Sequence, residues 1–95
     1  MKLGKAIKEI RVKKGVKQND FAQICSITQS YLSNIESDRK EPTISILKEI
    51  SKNLGVPLHI IFLFAVEDSD IPTDKTPEFK VVMNIIEKLL IEFSI

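Results

Sequence analysis

The side chains of this chain that could do chemistry are amides, hydroxyls and cations rather than nucleophiles. Gln29, Ser30, Ser33 and Asn34 are spaced so that on a helix they share one face. Glutamine and asparagine each carry a donor beside an acceptor and can pair bidentately with adenine N6 and N7; serine is permissive. Gln18 stands where a helix can begin, and the free N–H groups and dipole of such an end favour a phosphate. Lys17 precedes it, and Arg39 and Lys40 follow the amide cluster; all three suit phosphate contact. Catalysis fails by inventory. The one histidine, His59, has no carboxylate or cysteine near it in sequence, and Cys25 reads as a small core residue. With only Gly4, Gly15 and Gly55 there is no phosphate-cradling loop. Metal-ligand spacing is absent. The expectation is hydrogen-bonded recognition, with no enzyme activity, cofactor or metal.

Helices must position these residues, because the apolar pattern is helical throughout. Leu3, Ala6, Ile7 and Ile10 line one face of a first helix, and Lys13-Lys14-Gly15 supplies a cationic last turn and a glycine stop. Phe21, Ala22 and Cys25 face inward on a short second helix over 18–25. Thr28 can cap a third over 28–37, with Tyr31, Leu32 and Ile35 inward. Pro42 blocks continuation, and Thr43 can cap a fourth helix carrying Leu47, Ile50 and Leu54, which Gly55 ends. Pro57, at a first helical position, opens a fifth over 58–66 that is apolar nearly all round, so part of it must seek cover from a partner. The polar stretch 67–76 reads as a linker. Thr76-Pro77-Glu78 then starts a last helix. On it Phe79, Val82, Ile86, Leu89 and Phe93 follow a heptad spacing.

The second and third helices are joined so tightly that they must cross steeply, which can present the third to a major groove about 12 Å wide. Any short helical hairpin shares that geometry. Charge adds a second clue. Residues 1–64 carry eleven lysines and arginines against six acids, and residues 65–95 carry three against seven. The overall balance of +1 hides a basic part suited to a polyanion and an acidic part with another job. The 95 residues suffice for one domain with an appended element. No apolar run spans a bilayer, the charged N-terminal stretch is no signal peptide, and the single cysteine fits a reducing cytoplasm.

The stretch Leu3-Gly4, Ile10-Arg11, Gly15-Val16-Lys17-Gln18, Phe21-Ala22, Tyr31-Leu32-Ser33-Asn34-Ile35-Glu36, Pro42, Leu47 and Leu54-Gly55-Val56 resembles the Cro/C1-type (XRE) helix-turn-helix family. The resemblance implies an all-α, five-helix, lambda repressor-like DNA-binding domain over 1–66. In such a domain Gln29, Ser30, Ser33 and Asn34 read base edges and Gln18 bonds the DNA backbone. It also implies that Arg11 and Glu36 pair across the domain as a structural ion pair. Three positions depart from the family pattern. Ser26 and Asp38 stand where glycine is usual, and Lys17 replaces the usual Ser/Thr cap.

The resulting expectation is a cytoplasmic, sequence-specific transcriptional regulator, a repressor in kind. It would bind a palindromic operator in double-stranded DNA as a homodimer, with no membrane and no small-molecule effector. Leu58, Ile61 and Phe62 of the fifth helix and Phe79, Val82, Ile86, Leu89 and Phe93 of the helix in 77–95 would form the dimer interface. The last helix could instead fold back on its own domain. The alternative function is an antitoxin or protein-interaction module whose C-terminal half binds another protein. A third reading is an adaptor that contacts transcription machinery without reading bases.

Overall fold

A computed structural model describes residues 1–70 and 76–93. The helices are α1 Leu3–Lys13, α2 Gln18–Ile24, α3 Gln29–Glu36, α4 Ile44–Leu54, α5 Leu58–Ala65 and α6 Thr76–Phe93, with a 3-10 turn at Asp68–Asp70. The described residues contain no strand, so the class is all-α. Half of the stretch read as a linker, 71–75, lies outside the described residues.

Helix starts and stops have local causes. Thr28 Oγ1 accepts the Tyr31 N–H at 3.0 Å and Thr43 Oγ1 accepts that of Ile46 at 3.2 Å, each satisfying an orphan donor of a first turn. Pro57 is not the first helical residue: its ψ of 144° makes it the N-cap of α5, and its carbonyl accepts the Ile60 N–H. Just past each of α1 to α4 the backbone turns left-handed, at Gly15, Ser26, Asp38 and Gly55. There two successive N–H groups fold back onto last-turn carbonyls: Ser26 and Ile27 onto Gln23 and Ala22, Asp38 and Arg39 onto Ile35 and Asn34. Val16, Ile27 and Val56, which follow three of these turns, pack into or against the core. For Ser26, with φ of 59°, the turn costs about 1–2 kcal/mol relative to glycine. Asp38, with φ of 61°, has a compensation: its Oδ1 accepts the Gly4 N–H at 3.0 Å, which caps the start of α1.

The core is built from Ile7, Ile10, Phe21, Leu32, Ile35, Leu47, Ile50 and Ile61, all essentially sealed from solvent. α1 runs through its centre, against α3, α4 and α5. At the crossing of α1 and α3, Gly4 is buried directly against the Ile35 carbonyl. The chain start is tied to the far end of α5, where Lys2 N–H donates to the Ala65 carbonyl at 3.0 Å. The Met1 ammonium lies 2.8 Å from Asp70, and this partner holds the exposed Asp70 carboxyl below its usual range.

Two residues expected at a dimer interface are instead buried within one chain. Ile61 is fully buried in the core of its own domain, because α1, α4 and α6 all pack against α5. Ile86 is also buried within the chain, where α6 folds back on α5 and Met83 packs against the same core. Leu58 and Phe62 are partly buried against that core. The heptad seam is therefore divided. Phe79 is half-buried and Ile86 faces inward, while Val82 and Leu89 stay exposed beside Val81 and Ile85. Phe93 lies outside the described side chains. The apolar arc of α6 is wider than one contact, so half of it closes the domain and half is left over.

Candidate nucleic-acid interface

α2 and α3 are separated by four residues, 25–28, and the cap at Thr28 sets where α3 begins. Leu32 and Ile35 anchor α3 in the core, which turns the opposite face outward. Gln29, Ser30 and Ser33 are exposed on that face and Asn34 is half-buried at its edge. With Gln18 from the first turn of α2 they line one open depression. Sequence spacing placed the four on one helix face; the turn between helices brings Gln18 beside them.

Beneath the depression lies a charged pair. Arg11 Nε donates to Glu36 Oε2 at 2.7 Å and Arg11 Nη2 to Glu36 Oε1 at 3.0 Å, a bidentate fork. The third Arg11 arm, Nη1, donates to the Val16 carbonyl at 2.7 Å. Both residues are buried, with side chains 9% and 2% exposed, so nearly every donor and acceptor of the pair must be met from within the protein. Glu36 Oε1 also accepts from Gln18 Nε2 at 3.0 Å, and Gln18 Oε1 in turn accepts from Gln29 Nε2 at 3.4 Å. Four side chains from three helices thus form one line, from a buried guanidinium to an exposed amide.

The line has a direction. An ionised carboxylate only accepts, so Gln18 must turn its NH₂ inward and its oxygen outward. That oxygen draws the NH₂ of Gln29, which leaves Gln29 Oε1 and one amide hydrogen facing the depression. The 3.4 Å contact favours one order of acceptor and donor at the exposed Gln29 amide over its flip.

Lys17, the residue before α2, is exposed and extended. Arg39 and Lys40 are exposed just past α3, and both of their N–H groups donate to the Asn34 carbonyl at 3.0 Å. The Lys40 ammonium stands 5.5 Å from the centre of the Tyr31 ring. Three residues contribute in ways that their sequence positions did not assign to them. Gly4 and Asp38 secure α1 to the exit of α3, and Tyr31 borders the Lys40 ammonium. A glycine inside the first turn of an otherwise regular helix was the available signal for the first.

The residues outside this site have other surroundings. Cys25 is buried, burial pushes its thiol up, and it accepts from Asn53 Nδ2 at 3.6 Å, the opposite of an activated nucleophile. His59 is exposed. No group of three or more potential metal ligands gathers among the described residues, and no described helix is long and apolar enough to cross a membrane.

Comparison with known proteins bears on the same region. A family model for the helix-turn-helix matches residues 7–61, which include α2, α3 and the Arg11–Glu36 pair. The HTH-type transcriptional regulator PuuR of Escherichia coli (strain K12) is 37% identical over 59 residues, covering 62% of this chain and 32% of PuuR. The uncharacterized HTH-type transcriptional regulator y4dJ of Sinorhizobium fredii is 32% identical over 75 residues, covering 79% of this chain and 87% of that protein. The crystal structure of the clp gene regulator ClgR from C. glutamicum superposes with a TM-score of 0.65 at 30% identity, over 66% of this chain and 82% of that one. The chain spans only about a third of PuuR. More than half of its length fits the family model, and that stretch carries the turn and the α3 face described above: the chain belongs to the Cro/C1-type (XRE) helix-turn-helix family.

Proposed function

We propose that this chain is a sequence-specific DNA-binding transcriptional regulator that docks α3 in the major groove of a palindromic operator as a homodimer. The observation that carries the reading is the polar face of α3, with Gln29 oriented through Gln18 by the buried Arg11–Glu36 pair. Gln29, Ser30, Ser33 and Asn34 would sense base edges. Lys17, Arg39 and Lys40, together with the backbone N–H of Gln18 at the start of α2, would set the register on phosphates. The amide order at Gln29 fits adenine, which offers N6–H to an acceptor and N7 to a donor. Guanine offers two acceptors, and its O6 would oppose Gln29 Oε1. Relatives named as transcriptional regulators support regulation by promoter occupancy.

Selection from a random DNA pool tests this directly. A preferred site should emerge with adenine opposite Gln29. Gln29→Ala and Asn34→Ala should each weaken binding to it by about 1–3 kcal/mol while leaving binding to random DNA nearly unchanged, since phosphates supply that part. Equal losses on both DNAs would remove α3 from base reading. An unselected pool would favour the adaptor reading.

Homodimerisation rests on the left-over face of α6. Val81, Val82, Ile85 and Leu89 are 47–61% exposed there. A two-fold arrangement would set two copies of α3 about one DNA turn apart, roughly 34 Å, which palindromic half-sites require. Ile85→Glu places a charge in this face and leaves the Met83–Ile86 side untouched. It should yield a monomer by sedimentation, with unchanged helix content and at least about tenfold weaker operator binding. A variant that remains dimeric would move the interface elsewhere. A parent chain that is monomeric and soluble only with a second protein would favour the antitoxin or protein-interaction alternative, for which the same face would serve.

A further inference from the structure

The geometry points to Tyr31 as a positioning residue for Lys40, the two forming a pre-set grip on one DNA phosphate beside the reading helix. The inference rests on the DNA-binding reading above and deepens it. A lysine has four rotatable bonds, and in most surface positions its ammonium wanders. Lys40 is restrained at both ends. Its backbone N–H is bound to the Asn34 carbonyl at 3.0 Å, as is that of Arg39, so the segment leaving α3 is folded tightly against the helix it leaves. Its ammonium stands over the face of the Tyr31 ring, 5.5 Å from the centroid, within the range where the ring quadrupole attracts a cation. Tyr31 is a steady platform, since it belongs to α3 and packs partly buried against the core. Lys40 itself is exposed, so an anion can approach the ammonium from the side away from the ring.

The arrangement places the cation beyond Asn34, at the edge of the α3 face. A side chain restrained before the encounter loses less freedom when it binds than one that must be caught from solution. The ring therefore contributes to affinity without touching DNA. Its contribution is the same on any sequence, because a phosphate carries no base identity. Arg39 and Lys17, which no ring among the described residues borders in this way, serve as internal comparisons.

A double-mutant cycle on the full chain tests the idea, using a fixed duplex at several salt concentrations. Lys40→Gln should lower the slope of log affinity against log salt by about 0.9, the signature of one lost phosphate contact. Tyr31→Leu should weaken binding about three- to tenfold in the parent and have no further effect once Lys40→Gln is present. Tyr31→Phe, which keeps the ring, should bind like the parent. Should Tyr31→Leu fold poorly, the free parent and Tyr31→Phe still report. In both, the Lys40 side-chain methylene protons should be shifted upfield by the ring current in nuclear magnetic resonance spectra. Equal Tyr31→Leu losses with and without Lys40, an unchanged salt slope in Lys40→Gln, or unshifted Lys40 protons would each overturn the positioning role while the DNA-binding reading stands. A parent chain that binds no duplex at any salt would overturn both.

Discussion

Gly4→Ala should cost at least about 3 kcal/mol of stability, although the substitution replaces a poor helix former with the best one inside a helix. Propensity alone predicts a gain of about 0.8–1.0 kcal/mol. Tertiary contact reverses the sign. A Cβ at Gly4 falls onto the backbone carbonyl of Ile35 and lies 2.8 Å from Asp38 Oδ1. Backbone cannot swing aside as a side-chain tip can, so α1 and α3 must separate. That movement breaks the Gly4 N–H to Asp38 bond and uncaps α1. In a domain of this size the loss lowers the melting temperature by about 12 °C or more. Thermal unfolding followed by circular dichroism measures it, with Gly15→Ala as a control. Gly15 is left-handed, but a methyl group there would meet nothing within 4 Å, so only backbone strain of about 1–2 kcal/mol is expected. A Gly4→Ala protein as stable as the parent would show that α1 and α3 do not approach this closely in solution.

The second large effect is expected at the ion pair. Arg11→Ala leaves the Glu36 carboxylate buried with Gln18 Nε2 as its remaining side-chain donor, and Glu36→Ala leaves a guanidinium with the Val16 carbonyl. Each should cost about 3–5 kcal/mol, because an uncompensated buried charge is penalised far more than the pair itself is worth. Arg11→Met with Glu36→Leu removes both charges and keeps the volume, and should be more stable than either single alanine variant. Urea unfolding at a fixed pH decides it. Additive losses below about 1 kcal/mol would make the pair equivalent to an exposed one. The pair also has a reach beyond stability. In the charge-free double variant nothing dictates the flip of the Gln18 amide, so the preference for adenine over guanine at the Gln29 position should narrow even where the protein stays folded.

The helices themselves were legible because their signals are local. The apolar period of α1 and α4, the caps at Thr28 and Thr43 and the stop at Gly55 act within a few residues of where they stand, so neighbouring sequence carries the full instruction. The polar set on α3 was legible for the same reason: spacing on one helix determines which side chains share its face. Pro57 was placed one position too far into α5, since its φ is equally compatible with the cap and the first helical turn and only the ψ separates them.

What lay beyond the sequence depends on which surfaces meet. The five apolar positions of α6 form one heptad stripe on paper. In the fold Ile86 joins the core cluster, Met83 packs against it, and Ile61 is sealed inside the same chain. Ser26 and Asp38 are left-handed although neither is glycine, because the N–H of each and of the residue after it is held by a last-turn carbonyl of the preceding helix. Asp38 further meets Gly4, thirty-four residues away in the chain. The amino-acid sequence by itself determined the helical periods, their caps and the composition of the α3 face, all of which arise from interactions a turn or two long. Only the tertiary structure decided that Gly4 must be glycine, that one buried carboxylate orients two glutamines in series, and which half of α6 is left facing solvent. Those outcomes follow from close packing and charge burial between segments brought together by folding, for which no local pattern is a proxy.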